Sequence, residues 1–199
     1  MEKQTAASKR SAEDSPPVDR RQDLVAAAYQ QIARLGFEGL RTRDVAAAAG
    51  VNVATLHYYF PTKEALIGGV LKHSMQRFRS TMPAGGSPTQ QLRNHFKGIR
   101  RLVNEEPELF AVMGELALRS ARDPAIRELY RQTTDIWQAT VRGLLVKAAR
   151  DGSLAGSRNP DAQASLVVSA LTGASMIPLS RPARLKETIA ELERSLGLN

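Results

Sequence analysis

The chain has 199 residues, of which 24% are charged, and it carries a formal net charge of +8. This length allows one or two small domains with a substantial core. The absence of cysteine excludes disulfides, thiolate metal sites and cysteine nucleophiles, and no apolar run approaches the ~20 residues that a membrane span requires.

The N-terminal segment 1–19 is polar, contains a Pro-Pro pair and lacks the apolar stretch of a signal peptide. Its composition predicts a disordered N-terminal tail, and the chain is expected to be cytoplasmic. Nearby basic residues keep a second interpretation open, an arm that enters a DNA minor groove; they are Lys9, Arg10, Arg20 and Arg21.

A first helix is predicted over about 20–35, and Gly36 is expected to end it. Its apolar residues recur at helical spacing at Leu24, Ala28, Ile32 and Leu35.

The segment 40–66 reads LRTRDVAAAAGVNVATLHYYFPTKEAL and predicts two short helices, a tight turn between them and a third helix. Thr42, Asn52 and Thr62 are placed to cap the three helices, and Gly50 can end the first in the left-handed conformation. Six apolar residues give the helices a packing side: Val45, Ala46, Ala49, Val51, Leu56 and Phe60.

The outward residues of the second helix are small at its start and hydrogen-bonding aromatics further on, which suits a DNA major groove. They are Val53, Ala54, Thr55, His57, Tyr58 and Tyr59. The segment at about 41–60 is therefore predicted to be a helix-turn-helix DNA-binding motif.

This motif closely resembles that of the TetR family of bacterial repressors. The resemblance extends upstream to Leu35, Gly36 and Phe37, and within the motif it is carried by Thr42, Val45, Ala46, Ala49, Gly50, Val51, Thr55, Leu56, Tyr59, Phe60, Lys63, Glu64 and Leu66. Two positions depart from the family pattern, since His57 stands where Tyr is usual and Ala54 where Gly is frequent.

The resemblance implies an all-α fold of about nine helices. A three-helix DNA-binding domain would occupy 20–66, and a larger helical bundle that senses a ligand and dimerises would occupy 67–199. Residues 21–82 hold eight basic against four acidic side chains, a local excess that favours nucleic acid as the partner of the first domain.

Contacts with DNA require phosphate anchors and base readers. Thr42 lies at a predicted helix N-terminus, which can hold a phosphate, and Arg43 can reach a guanine. Val53 and Ala54 can offer only apolar contact, for instance to thymine methyl groups. Asn52 completes this part of the predicted site.

The resemblance implies further phosphate or base contacts from Thr55, His57 and Tyr59. It also places Tyr58 at the groove or backbone and Lys63 at a phosphate. The alternative for Tyr58 and Tyr59 is that they are half-buried aromatic residues whose hydroxyls contact water instead of DNA.

Beyond the motif the pattern is helical, with one clear break at 83–88, where turn formers cluster. Helices are predicted over about 63–82 and 89–104, from Pro107, from Asp123 to near Gly152, from Pro160, and through Leu185 to Leu196. Gly68 and Gly69 are either a flexible point or a place of close helix packing.

Ligand-controlled switching requires an effector that favours one conformation. Eight aromatic or methionine residues are candidate pocket lining, although an ordinary core is the alternative for each: Phe78, Met82, Phe96, Phe110, Met113, Tyr130, Trp137 and Met176. Candidate polar anchors are His95, Glu115 and Arg119.

One recognition helix reads only a few base pairs, so a specific site calls for a dimer whose helices lie about one DNA turn, ~34 Å, apart. The resemblance implies a homodimer through the last two helices, at about 160–197. Small residues there would permit close helix approach: Ala162, Ala164, Ala170, Gly173 and Ala174.

The predicted function is sequence-specific transcription regulation by a homodimeric repressor that a small-molecule effector releases from a palindromic double-stranded operator. An activator would give the same pattern. A non-specific nucleic-acid binder and a helical protein-interaction module are the alternatives. An enzyme is disfavoured, because three histidines and no recognisable catalytic motif offer no site. No metal or cofactor is predicted.

Overall fold

The computed structural model describes residues 17–82, 85–155, 159–175 and 183–198, without the side chains of 17–19 and 175. These described residues form nine α-helices and one short 3-10 turn, with no strand among them. The predicted all-α fold is confirmed. Residues 1–16, most of the predicted tail, lie outside the described part.

The helices are α1 (Pro17–Leu35), α2 (Thr42–Ala48), α3 (Val53–Tyr59), α4 (Lys63–Arg79), α5 (Pro88–Glu105), α6 (Pro107–Ser120), α7 (Pro124–Arg150), α8 (Pro160–Ser175) and α9 (Ala183–Leu196). The 3-10 turn, Phe37–Gly39, lies between α1 and α2. The chain forms two compact units, and the division falls between His73 and Ser74, within α4.

Five of the described helices begin at a proline. Proline suits this place because its fixed φ matches the helix and the first amides have no partner inside the helix. Before α5 the Ser87 side chain also accepts from the Gln90 amide, and before α7 Asp123 accepts from Ala125 and Ile126. The same rule explains why α1 begins at Pro17, three residues before its predicted start.

The first unit packs α1 to α3 and the beginning of α4 around apolar side chains that are almost fully buried: Leu24, Ala28, Ile32, Val45, Leu56, Phe60, Leu66 and Val70. Leu35 was expected on this stripe, but it is the last residue of α1 and is 52% exposed, at the rim of the core. A Cβ on Gly69 would lie 2.9 Å from Val25 Cγ2 and 3.2 Å from Phe60 Cε1. Close packing therefore accounts for this glycine.

In the second unit α7 is the central helix. It packs against α5, α6 and α8, while α9 packs against α8 and α5. One stripe of residues on each of four helices forms the core: Leu92, Phe96 and Ile99 on α5; Val141 and Leu145 on α7; Val167 and Leu171 on α8; and Ile189 and Leu192 on α9. None of the helices in the described ranges combines the length and apolarity that a bilayer crossing requires.

Candidate functional site

The turn between α2 and α3 has a defined backbone geometry. Gly50 adopts φ 68°, its amide donates to the Ala47 carbonyl at 3.1 Å, and the Val51 amide donates to the Ala46 carbonyl at 2.9 Å. This pair of bonds is the Schellman motif, which a glycine in the left-handed region forms without strain. The predicted role of Gly50 is confirmed.

The next helix begins at once. The Asn52 side-chain oxygen accepts from the Thr55 amide at 2.7 Å and from the Thr55 hydroxyl at 3.0 Å. Asn52 thus caps α3 as predicted, and Thr62 caps α4 by accepting from the Ala65 amide at 3.1 Å. The Asn52 cap and the Gly50 turn set the direction in which α3 leaves α2.

The start of α2 differs from the prediction. Arg41 occupies the cap position, no side chain caps the helix there, and Thr42 is the first helical residue. The Arg41 amide instead donates to the side-chain oxygen of Gln31, on α1, at 3.0 Å. Thr42 has helical backbone geometry, its side chain does not cap the helix, and the residue is half-exposed at the helix end.

Helix α3 has one buried and one open side. Leu56 and the following Phe60 are each 1% exposed, which confirms their prediction as core residues. On the open side Tyr58 is 81% exposed, and Ala54 and His57 are exposed as well. The half-buried positions of the helix are Val53, Thr55 and Tyr59.

Aromatic rings organise the end of α3 and the start of α4. Tyr58 and Tyr59 meet edge to face, with ring centroids 5.2 Å apart. The Lys63 ammonium lies 4.8 Å from the centre of the Phe37 ring, and the Arg21 guanidinium lies 4.7 Å from that of Phe60. Such cation–π contacts hold flexible cationic side chains in place.

The ten residues predicted to contact DNA thus lie on three consecutive elements of one compact unit: Thr42 and Arg43 on α2; Asn52, Val53, Ala54, Thr55, His57, Tyr58 and Tyr59 at α3; and Lys63 on α4. Exposed Arg41 and Arg43 give the start of α2 a positive charge. Gln31 and Phe37 support this surface through the Arg41 amide and the Lys63 ammonium. The resemblance includes Phe37, whereas no local pattern singles out Gln31, because it acts across a turn of the chain. The contacts of the ten residues with DNA stay predictions.

The second unit contains a narrow cavity. Five of the predicted pocket residues line it, namely Phe78, Phe110, Met113, Tyr130 and Trp137. Phe96 is instead fully buried in the core, and Met82 packs against that core. Neither is among the described lining residues. Met176 lies outside the described residues.

The polar residues of the cavity wall are Tyr130, Thr133 and Thr134 on α7 and Thr172 on α8, and the sequence pattern did not predict the three threonines. Burial raises the pKa of the Tyr130 hydroxyl above its usual value. Of the predicted polar anchors, Glu115 and Arg119 are not among the described lining residues, and Arg119 pairs with Asp123 at 3.5 Å.

His95 lies behind the cavity wall rather than in it. The Trp137 indole N–H donates to His95 Nε2 at 2.9 Å, and His95 Nδ1 lies 2.6 Å from the Thr81 hydroxyl, which donates to the Phe78 carbonyl at 2.6 Å. The consistent assignment has a neutral ring with the proton on Nδ1. Burial lowers the pKa of His95 to about 3, which keeps the ring neutral.

This hydrogen-bonded series, Trp137–His95–Thr81–Phe78, joins α7 and α5 to the end of α4. It fixes two rings of the cavity wall, Trp137 directly and Phe78 through its backbone. Within the described residues, no group of three or more His, Cys, Asp or Glu side chains is placed to hold a metal ion.

Comparison with known proteins assigns the first unit. The family model for bacterial regulatory proteins of the tetR family matches residues 24–70. A transcriptional regulator, LuxR of Vibrio harveyi, is 29% identical over 75% of this chain and 74% of its own length. The nicotine-responsive repressor HdnoR of Paenarthrobacter nicotinovorans is 26% identical over 67% of this chain and 71% of its own length.

Solved structures extend the likeness to the second unit. A TetR-family regulator from Rhodococcus sp. superposes with a TM-score of 0.79 at 23% identity, over 90% of this chain and 99% of its own. A TetR transcription regulator from Haloarcula marismortui superposes with a TM-score of 0.81 at 17% identity, over 90% of this chain and 97% of its own. At such identities the likeness shows the fold alone.

The motif, the fold and the relatives agree on one family, whose members regulate transcription and are not enzymes. Residues 24–70 thus form the DNA-binding domain of the tetR family of bacterial regulatory proteins, and the comparisons together support a TetR-family transcriptional regulator.

Proposed function

We propose that this regulator is a cytoplasmic homodimeric repressor that binds a pseudo-palindromic operator and leaves it when a small-molecule effector binds. The observation that carries the proposal is the open side of α3, held by the Gly50 turn and the Asn52 cap. Ala54, His57 and Tyr58 project from a helix whose other side is packed into the core.

The roles of the DNA-facing residues follow from their positions. The small side chains Val53 and Ala54 at the start of α3 let the helix approach base edges closely. Thr42 precedes α3 along the chain, Tyr59 is its last residue and Lys63 follows it, which suits contacts with phosphates on either side of the groove. Arg43, exposed in the first turn of α2, is the candidate base reader.

Helix α8 supports the homodimer. Its exposed positions Ala162, Leu166, Ser169 and Gly173 follow one another at helical spacing, and none carries a charge. Leu166 is 60% exposed, and a Cβ on Gly173 would meet no atom within 4 Å. A stripe of small uncharged residues around one leucine suits close packing against the same helix of a second copy. We propose that α8 and α9, at about 160–197, form the dimer interface.

Repression and release are supported by the relatives and by the cavity. HdnoR is a nicotine-responsive repressor, and KstR of Rhodococcus jostii, 30% identical over 48% of this chain and 46% of its own length, is a repressor. The cavity lies among α4 to α8, and α4 is the helix that runs from the first unit into the second. An effector that binds one conformation better shifts the population toward it.

Selection of binding sites from a random duplex pool, with the purified full chain at physiological salt, tests the proposal. Enrichment of an inverted repeat with half-sites about one DNA turn apart, ~34 Å, is expected. Lack of enrichment, also after the protein has been unfolded, washed free of ligand and refolded, would contradict sequence-specific binding. Binding that depends on salt but not on sequence would instead indicate a non-specific nucleic-acid binder.

A further inference from the structure

The cavity of the second unit indicates which class of molecule it takes. We infer that its ligand is an uncharged molecule with an aromatic ring and one hydrogen-bonding group of the hydroxyl or carbonyl type. This inference rests on the proposed effector-released regulator and specifies its effector. Three observations carry it: the ring-lined wall, the lack of charge in that wall, and the hydroxyls of α7.

The wall is built largely from aromatic rings. Phe78 meets Phe110 edge to face, with centroids 5.6 Å apart at 89°, and lies nearly parallel to Trp137 at 6.2 Å. Rings prefer such offset and edge-to-face arrangements. A ligand ring can extend the same packing, with Met113 as an adaptable neighbour.

The described wall contains no side chain with a formal charge. His95, which lies behind Trp137, is a neutral ring hydrogen-bonded to Trp137 and Thr81. A carboxylate, phosphate or ammonium group would lose its hydration in this cavity without meeting a counter-ion, which is unfavourable. A cation held over aromatic faces is the competing class, but no lining carboxylate would balance it.

Three of the four polar residues described in the cavity wall lie on α7, and the fourth, Thr172, lies on α8. Tyr130 and Thr133 are one helical turn apart and both line the cavity, so their hydroxyls lie on one side of the helix. The neighbouring Thr134 hydroxyl donates to the Tyr130 carbonyl at 3.0 Å and is already engaged. Because burial raises the pKa of Tyr130, its phenol remains a proton donor. One hydroxyl or carbonyl on the ligand matches this pair.

The cavity must widen to take such a ligand. The cavity volume is about 30 Å³, which is room for about two water molecules. Ring-sized ligands must therefore displace lining side chains, and Trp137, the single tryptophan of the chain, is one of them. Tryptophan emission consequently reports on binding at this site alone.

The test uses three probes that share a phenyl ring and a propyl chain but differ in charge: phenylpropanol, phenylpropionate and phenylpropylammonium. Each is titrated into the full chain while Trp137 emission is followed at the red edge of its absorption, where the probes do not absorb. The alcohol is expected to bind at least ~10-fold more tightly than either ion. No binding of the alcohol, or binding of either ion as tight as that of the alcohol, would overturn the inference.

A variant tests the hydroxyls of α7. Thr133→Val removes a hydroxyl at nearly constant volume, and it should weaken binding of phenylpropanol about 10-fold while leaving that of propylbenzene unchanged. Thr140→Val, which removes an exposed hydroxyl from the same helix, is the matched control and should change neither affinity. Equal effects of the two variants on phenylpropanol, or equal losses for both probes, would overturn the assignment.

Failure of this inference and failure of the proposed function are distinguishable. Probe binding is measured without DNA, and DNA selection is measured without probes. If the cavity prefers an ionic probe while the protein still selects a DNA site, only the inferred ligand class is overturned. Tight binding of phenylpropanol by a protein that selects no DNA site would sustain the ligand class and contradict the regulator.

Discussion

Arg43 and Tyr59 lie at different places in the DNA-binding motif and should act on different parts of a DNA complex. Arg43 is exposed in the first turn of α2, whereas Tyr59 is half-buried in the last turn of α3 and packs edge to face on Tyr58. An arginine with free donors can read a base, while a tyrosine held by its ring offers one hydroxyl in a fixed position.

Arg43→Ala should relax the preference at one base pair of the operator by about 1–3 kcal/mol. Tyr59→Phe should instead weaken binding to all duplexes by a similar factor, because a phosphate contact carries no sequence information. Competition assays with single-base operator variants separate the two patterns. Arg122→Ala, an exposed arginine of the second unit, is the control. Sequence-dependent losses from Tyr59→Phe would contradict its phosphate role.

His95 should make the folded chain sensitive to acid. Its pKa is lowered by burial from 6.5 to about 3, so between these values the unfolded chain binds a proton at this residue and the folded chain does not. The free energy of unfolding should therefore fall as pH falls below 6.5, by up to about 1.4 kcal/mol per pH unit from this group. Denaturant unfolding from pH 7 to pH 4.5 measures the slope.

The comparison variant is His95→Gln, which keeps polar atoms but does not titrate. Between pH 7 and 4.5 the wild type should lose about 2–3 kcal/mol more stability than the variant. Parallel pH profiles would show that His95 is not held neutral in the fold. The variant alone is expected to be less stable at pH 7, because part of the hydrogen-bonded series is lost.

At the scale of elements, the end of α4 and helix α5 approach each other closely. A Cβ on Gly98 would lie 2.6 Å from Thr81 Cβ and 3.0 Å from its Cα. The Thr81 hydroxyl also accepts a hydrogen bond from His95 Nδ1 and donates one to the Phe78 carbonyl. Packing at Gly98 therefore maintains the same hydrogen-bonded series as His95.

Gly98→Ala should destabilise the second unit by about 1–3 kcal/mol, because the added methyl forces backbone and side-chain shifts in a packed core. Gly143→Ala on α7 is the matched control: its Cβ would meet no atom within 4 Å, and alanine in a helix is favoured over glycine by about 1 kcal/mol. Thermal unfolding should thus move in opposite directions for the two variants. A stabilising Gly98→Ala would contradict the close approach.

Local signals in the sequence predicted most element ends. Gly50, Asn52 and Thr62 each act within a few residues of their own position, so their roles follow from the turn and cap chemistry alone. The prediction that Thr42 caps α2 was wrong. Arg41 occupies the cap position, and its amide donates to the side chain of Gln31, ten residues away on another helix. A local pattern does not contain such a tertiary contact.

At the scale of the whole molecule, the cavity was the hardest feature to predict. Aromatic residues at helical spacing occur equally in a core and in a cavity wall, and only packing separates them: Phe96 is in the core, whereas Phe78 and Trp137 reach the cavity. Thr133 and Thr134 are short polar residues on a half-buried helix, so the pattern of α7 did not distinguish them from surface residues.

The proposed dimer makes a prediction at the same scale. Leu166→Asp should convert the dimer into monomers, because a carboxylate at the centre of the α8 stripe would be buried without a partner. Light scattering behind size-exclusion chromatography measures the mass. Leu118→Asp changes a leucine of α6 that is 73% exposed and should leave the mass unchanged. If the Leu166→Asp variant stays dimeric, the interface does not lie on the α8 stripe.

The most direct test of sequence-specific binding by a symmetric pair of motifs is a titration of two labelled duplexes at physiological salt. One carries the inverted repeat recovered by selection, and the other has the same length and composition in scrambled order. We expect sequence-specific binding with a preference of ~1000-fold or more for the repeat and with two protomers bound per duplex. Equal affinity for the two duplexes, or one protomer bound to the repeat, would contradict it.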